Sequence, residues 1–472
     1  KTECPSCSKP ATRETDTMDT FYDSSWYFMR FCDATNDTLP FDRKAVDYWM
    51  GDGVDLYIGG IEHAVMHLLY ARFFTKFTRD AGMNRVGEPF GRLVCQGMLN
   101  APAPYCASCN AEYHVDHFDS DCPSCGEKLS RRQAKMSKSL GNTVSPEEMI
   151  SKYGADTVRL FILFGANPEA GMDWSDSALE ANHRQMFSIM ESVDFAMSLS
   201  ESPNPIDSWL LARLRENQRN WMEAMSEVSL REGVMISHFE MLSDWSWYVR
   251  RGGRDRSTAM SFLEGWIPMM APATPHIAEE FWNKLGMDDL LAKLVMPDTG
   301  VNPEDTRVIS IENYIRQIIS TGRNLKSLAE RHSEGEITRA IIQTSPVWKS
   351  ELAIEAIGLN SEGFDFKSQG TEHVRSMDIF NDERIRTELF QTWSSITMGS
   401  KKKRGKVHLW SEGERDLILA RIDESEVIIE NSEFIASSLG VDSLESYSAG
   451  EGEDVGGKAK VSFPLEPGIA FL

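Results

Sequence analysis

Lys135, Met136, Ser137, Lys138 and Ser139 are followed at once by Leu140, Gly141 and Asn142. Two lysines spaced by small hydroxyl residues suit a loop that closes over a triphosphate. There the ammonium groups meet the negative charge that builds as pyrophosphate leaves. That is nucleotidyl-transfer chemistry; a solvated Lys/Ser loop is the competing reading. Upstream, the run from Tyr57 through Gly59, Gly60, Glu62 and His63 to His67 reads as a strand passing two glycines into a helix. Glycines admit a ligand close to the backbone, and an adjacent carboxylate can accept hydrogen bonds from ribose hydroxyls. His63 and His67, four apart, are expected on one helix face. They suit core histidines, a metal-binding pair or a substrate-pocket wall. A zinc protease is excluded because Ala64 stands where Glu would follow the first His.

Six of eight cysteines form Cys-x-x-Cys pairs: Cys4/Cys7, Cys106/Cys109 and Cys122/Cys125. In a cytosolic protein this spacing points to zinc rather than disulfides. The pairs 106/109 and 122/125 are close enough to close one tetrahedral four-thiolate site, a zinc ribbon, with turns at Ala107-Ser108 and Pro123-Ser124. His114 and His117 lie between the pairs and are the less favoured ligands. Cys4/Cys7 is half a site. Cys32 and Cys95 are expected to be buried small hydrophobes.

These residues need elements to hold them. Residues 19–97 alternate short aromatic or β-branched runs with helical patterns, such as 55–58 leading into 62–76, which predicts βαβ units and a parallel sheet. The aromatics of residues 14–28, taken alone, belong to a core more often than to a pocket. From about Trp174 onward the pattern is long amphipathic helices, an all-α bundle. One starts at 208–211 and another covers 228–251. A third, 260–285, is expected to be broken by Pro268, Pro272 and Pro275. Residues 300–305 read as a linker. Beyond them 311–329 and 380–396 read as helices and 337–343 as a strand, and an α/β tail runs from 432 to 464.

The chain has 472 residues, enough for about three domains on the usual prior. Its net charge of −23 argues against a protein that coats nucleic acid indiscriminately, so any nucleic-acid partner must meet local basic patches. Candidates are Arg131, Arg132, Lys135 and Lys138; Arg250, Arg251, Arg254 and Arg256; and Lys401, Lys402, Lys403, Arg404 and Lys406. No membrane-length apolar run or signal peptide is visible, and the expected setting is cytoplasmic, with no membrane partner.

The 135–139 pentapeptide matches, letter for letter, the KMSKS signature of class I aminoacyl-tRNA synthetases. Tyr153-Gly154-Ala155-Asp156 with Arg159 and Leu160 looks like the helix that follows it. Residues 14–28, 57–74, 88–98 and 135–147 together resemble the second half of leucyl-tRNA synthetase, in family order and spacing. The tail, with Pro346, Trp348, Lys349 and a closing 464–469 motif, looks archaeal. The resemblance implies that Phe21, Ser24, Tyr27, His63 and His67 line a leucine pocket. It places Gly59, Gly60 and Glu62 near adenosine, and Lys135 to Ser139 at ATP with Lys135 and Lys138 on the phosphates. It implies ATP and Mg²⁺ as cofactors, beside the Zn²⁺ that the cysteine spacing points to, and leucine and tRNA(Leu) as partners; the ribbon itself is less typical of the family than the motifs around it. Discrimination by one methylene is worth only ~1–3 kcal/mol, which is why the family also carries an editing domain. That domain and the HIGH signature are upstream in the family and absent here. The chain is therefore expected to need a missing N-terminal part and to be inactive alone.

The expected layout is a Rossmann-like α/β catalytic half, a helical anticodon-binding-type bundle and a small α/β C-terminal domain. Residues 1–16 would be a remnant of an upstream zinc module. Residues 17–144 would be the second catalytic half, with the ribbon at about 101–130, and 145–182 a stem-contact-like segment. Residues 183–300 would form the bundle and 305–472 a tRNA-binding domain, gripping the long variable arm of the tRNA with Lys401–Lys406. Alternatives are an isoleucyl, valyl or methionyl relative, or a non-catalytic tRNA-binding subunit of a split synthetase.

Overall fold

The computed structural model describes residues 2–297, 299–300, 302–331, 335–383, 385–398, 405–448, 452 and 455–472; of residues 387 and 459 it describes the backbone alone. The chain folds into two compact units. One comprises Lys1–Met190, Trp221–His238 and Met270–Phe281; the other comprises Glu191–Asn220, Phe239–Met269 and Trp282–Leu472.

In the first unit, strand Tyr57–Gly60 pairs in parallel with Leu93–Gln96, and this two-stranded sheet has no further member among the described residues. Its core holds Phe28, Met29, Phe41, Val46, Met50, Ala71 and Val86. The expected helix 62–76 begins late. Ile61–His63 is a 3₁₀ turn, Met66 leaves helical geometry at φ −110, ψ −94, and the α-helix spans His67–Asp80. His63 and His67 therefore do not share one α-helix. This helix buries His67, Ala71, Thr75 and Thr78, yet Leu69, Tyr70, Phe73 and Phe77 are exposed, Phe73 to 70%.

A second sheet is built on strand Leu99–Cys106, antiparallel to Ala111–Glu112 and Ser130–Lys135 and parallel to Met172–Asp173. Gly97, before it, lies against the Ala170 carbonyl, where a Cβ would sit 2.1 Å from oxygen. Helix Asp176–Met197 runs unbroken past the expected 182/183 boundary. A π-helical stretch, Met235–Glu240, carries His238, fully buried and hydrogen-bonded through both ring nitrogens to Ser237 and Thr274 at 2.9 Å.

In the second unit, a three-stranded sheet has Arg339–Gln343 at its centre, parallel to Ser443–Tyr447 and antiparallel to Gly468–Phe471. Helix Pro303–Glu330 packs Tyr314, Ile315, Ile318 and Ile319 into one core with Ile342, Leu352 and Trp393. The supposed linker is the start of this helix. Asn302 accepts from the Glu304 amide as its N-cap, Pro303 stands at the first position, and Asp305 is buried against Arg215 at 2.7 Å. Pro268 lies inside helix Arg256–Met270 without ending it, between fully buried Trp266, Ile267 and Met270; only Pro275 opens a new helix, Pro275–Lys284. No described helix is long and apolar enough to cross a membrane.

Candidate functional site

Tyr27, Tyr57 and His67 form a hydrogen-bonded line in the first unit: the Tyr27 hydroxyl donates to the Tyr57 oxygen at 2.9 Å, and that hydroxyl meets His67 Nε2 at 2.7 Å. Phe21 closes the group, its ring 5.9 Å from His63 and 6.5 Å from His67, while the two histidine rings lie 6.4 Å apart. The turn at 61–63 thus achieves what a continuous helix was expected to do. Burial, then the neighbouring His63, push the His67 pKa down, favouring its neutral form. Burial, and after it the closeness of the Tyr27 hydroxyl, raise that of Tyr57. The Nδ1 atoms of His63 and His67 are buried with no hydrogen-bond partner among the described residues. Buried polar atoms without partners are rare and mark a place where a polar group can be accepted or donated. Ser24 is outside this line, its hydroxyl donating to the Thr20 carbonyl at 3.3 Å. Tyr57 was not singled out from sequence; its place at the start of the glycine strand was the available signal. It also stacks on Phe90 at 3.9 Å.

At the end of that strand, the Glu62 carboxylate folds back over Gly60, where a Cβ would sit 2.3 Å from Oε2. Its own amide, then Lys135, hold its pKa below the usual carboxylate range. Lys135 Nζ is 3.7 Å from Glu62 Oε1, an exposed and screened pair, so it links the glycine strand to the lysine strand without fixing either. Beyond Lys135 the chain turns sharply. Met136 N–H donates to the Leu99 carbonyl, Gly141 takes φ +67 to donate to the Ser137 carbonyl at 3.1 Å, and Ser137 Oγ lies 3.1 Å from Ser139 Oγ. Asn142, also not singled out as a site residue, is the staple. Its Oδ1 accepts from Ser137 N–H at 2.9 Å, and its Nδ2 donates to the Ala101 carbonyl at 3.2 Å. Lys138 is exposed at the tip.

The four sulfurs of Cys106, Cys109, Cys122 and Cys125 lie within 4.8 Å of one another, with 106–125 at 3.4 Å and 109–122 at 3.8 Å. Zn–S bonds of ~2.3 Å in a tetrahedron put sulfurs about 3.8 Å apart, so the set fits zinc. The knuckle turns are in place, with Cys109 N–H pointing at Cys106 Sγ and Gly126 at φ +78 donating to the Cys122 carbonyl. His114 and His117 stand outside this cluster, which is the only group of three or more candidate ligands among the described residues. Cys4 and Cys7 sit on a small hairpin, Thr2–Glu3 with Pro10–Ala11. Cys32 and Cys95 are only half-buried, correcting the expectation of burial.

Within the arginine cluster only Arg251 is charge-paired among the described residues; the others donate to neutral acceptors and keep their charge. Arg251 pairs with Glu312 at 2.7 Å, Arg254 donates to the Val249 carbonyl at 2.7 Å, Arg256 donates to the Met197 carbonyl at 2.5 Å, and Arg250 donates to Ser438 at 2.8 Å. Of the 401–406 run, Lys401, Lys402, Lys403 and Arg404 lie outside the described residues. Lys406 is ion-paired with Glu466.

The family described as "tRNA synthetases class I (I, L, M and V)" matches residues 129–175, and "Anticodon-binding domain of tRNA ligase" matches 207–341. The leucine–tRNA ligase of Fusobacterium nucleatum is 39% identical over 299 residues, 60% of this chain and 35% of that protein. The chain is a relative of the leucine–tRNA ligases. The Trichormus variabilis leucine–tRNA ligase is 35% identical over 366 residues, covering 72% of this chain and 42% of its own length. The Synechococcus sp. leucine–tRNA ligase is 40% identical over 296 residues, 60% of this chain and 34% of its own. This chain thus spans well under half of the leucine–tRNA ligases it matches. A crystal structure of an Agrobacterium radiobacter K84 LeuRS–tRNA–LeuAMS ternary complex is 27% identical, covers 73% of this chain and 38% of that one, and has a TM-score of 0.49.

Proposed function

We propose that this chain carries the leucine pocket, the phosphate-facing loop and a tRNA-binding region of a leucine–tRNA ligase, and acts with a further N-terminal part of that enzyme. The observation that carries the reading is the meeting of three features in one unit. The aromatic and histidine pocket of Phe21, Tyr27, His63 and His67, the Gly59–Gly60–Glu62 strand end and the 135–139 loop are joined through the Glu62–Lys135 pair.

In this reading Phe21 and Tyr27 form the apolar wall against the leucine side chain, and the unpartnered histidine nitrogens polarise its rim. Gly59 and Gly60 let adenosine approach the backbone, with Glu62 accepting from the ribose. The leucine carboxylate attacks the α-phosphorus of ATP; the bond to the bridging oxygen breaks and pyrophosphate leaves with the electron pair. Lys138 and Lys135 meet the charge that grows there, and no enzyme nucleophile is needed. Mg²⁺ would supply further neutralisation of the phosphates. Cys106, Cys109, Cys122 and Cys125 would hold Zn²⁺. Transfer to a terminal ribose hydroxyl of tRNA(Leu) then releases AMP. Support for the tRNA region comes from the anticodon-binding match at 207–341.

Supplied with the N-terminal part of a leucine–tRNA ligase, the chain should catalyse leucine-dependent ATP–pyrophosphate exchange, and alone it should not. Exchange dependent on isoleucine, valine or methionine instead would overturn the leucine assignment. Robust exchange by the chain alone would overturn the divided site.

A further inference from the structure

The cysteine ribbon and the lysine loop are built on the same two strands. Strand Leu99–Cys106 ends in the first knuckle, and Ser130–Lys135 leads from the second knuckle to Lys135; they pair from Tyr105↔Ser130 to Asn100↔Lys135. A second route joins them outside the strands. The Tyr113 hydroxyl lies 3.2 Å from Cys122 Sγ and 2.9 Å from Ser124 Oγ, placed to donate to a metal-bound Cys122 thiolate while accepting from Ser124, and the Tyr113 amide donates to the Pro104 carbonyl. The next two residues touch the loop. Val115 N–H donates to the Leu140 carbonyl at 2.9 Å. The His114 ring covers Gly141 so closely that a Cβ there would sit 2.3 Å from Nε2. Gly141 in turn donates to the carbonyls of Ser137 and Lys138. Cys122, Tyr113, His114 with Val115, and Leu140 with Gly141 thus form an unbroken series from the sulfur cluster to Lys138.

We infer that the ribbon is a positioning device for the 135–139 loop. A cation on the four sulfurs fixes Tyr113, and His114 and Val115 pass that order to the backbone of Leu140 and Gly141, which sets where Lys138 stands. The strand side holds Lys135, Met136 and, through Asn142, Ser137; the ribbon side adds the contacts at Leu140 and Gly141 that close the far end of the loop. His114 and Val115 are positioning residues, acting through Leu140 and Gly141. The functional meaning rests on the reading of this loop as phosphate-facing. The ordering itself is measurable without nucleotide, so failure of one is distinguishable from failure of the other.

Amide hydrogen exchange on the full chain, with zinc stripped by a chelator and with zinc restored, reads the loop directly. Zinc should slow exchange at Leu140, Gly141 and Asn142 by about three- to tenfold, the scale of one net hydrogen bond governing a local opening. Val115→Pro deletes the amide that holds Leu140. The position opens a 3₁₀ turn after His114 at ψ 147, which proline accepts. That variant should still bind cobalt with tetrathiolate absorption, yet lose the zinc-linked slowing at 140–142. If it no longer bound cobalt, His114→Ala, which keeps all four sulfurs, gives the same test. The inference is overturned if zinc leaves loop exchange unchanged in the parent chain, or if a cobalt-binding variant keeps the full slowing.

Discussion

Helices His67–Asp80 and Pro303–Glu330 treat their apolar residues in opposite ways. The second places Tyr314, Ile315, Ile318 and Ile319 in a core closed by its own unit. The first buries Ala71, Thr75 and Thr78 and leaves Leu69, Tyr70, Phe73 and Phe77 outside, beside a sheet of only two strands. Those four large apolar side chains of the first helix stay in contact with solvent in this chain. The region that carries the candidate chemistry leaves large apolar side chains exposed, and the region with no reacting groups is self-sufficient in its core. On the proposed function, an N-terminal part of the enzyme would cover this face.

The largest effect that would test this contrast is in the closed core. Trp393, 2% exposed, should cost about 3–5 kcal/mol in urea unfolding as Trp393→Ala, whereas Phe73→Ser should change stability by less than ~0.5 kcal/mol. A comparable loss at Phe73 would mean that its face is already covered.

The next test is chemical. In the enzyme completed with its N-terminal part, Lys138→Ala should lower kcat of activation by roughly 10²-fold, because its charge meets phosphates that gain charge only as the reaction proceeds. Lys406→Ala, in the self-sufficient region and paired with Glu466, should leave that rate unchanged. An unchanged kcat with only a raised KM for leucine in Lys138→Ala would contradict the assignment.

The smallest effect is acid sensitivity. Burial holds His238 neutral, its pKa pulled down to about 3 from 6.5. The unfolded chain binds that proton below pH 6.5 while the native state does not until about pH 3, so native stability falls as pH drops through this window. At pH 5 the loss is about 2 kcal/mol. His238→Gln should remove that slope in pH-dependent urea unfolding. The described histidines of the other unit are half-buried His373 and exposed His408, so acid should loosen the unit that holds His238 first, as seen by hydrogen exchange.

The lysine loop and the cysteine cluster were legible because their chemistry is written in short spacings that any fold must respect. The Tyr27–Tyr57–His67 line was only half legible: His67 and Tyr27 stood out, while Tyr57 acquires its role from a partner 30 residues away. Asn142 stood in plain view, but its bonds to Ala101 and Ser137 exist only once strand Leu99–Cys106 lies beside the loop. Two errors came from reading single residues too strongly. Asn302 and Pro303 carried a helix-start signal that composition alone turned into a linker. Pro268 reads as a breaker, yet buried neighbours on both sides hold its helix together. Of the four arginines from 250 to 256, Arg251 has its charge balanced by Glu312, an acceptor 61 residues away that local charge counting does not see.

The sheet of the self-sufficient unit sets a timetable for the growing chain. Its central strand, Arg339–Gln343, carries fully buried Ile341 and Ile342, but both neighbours, Ser443–Tyr447 and Gly468–Phe471, are translated more than a hundred residues later. At synthesis rates of ~5–20 residues per second, that strand waits roughly 5–20 s with both edges bare, and roughly 6–25 s before its second edge can be covered. Throughout that interval it is a template for wrong pairing with another nascent chain. Translation speed and chaperone access over residues 344–468 therefore bear on how much of this protein reaches its native sheet.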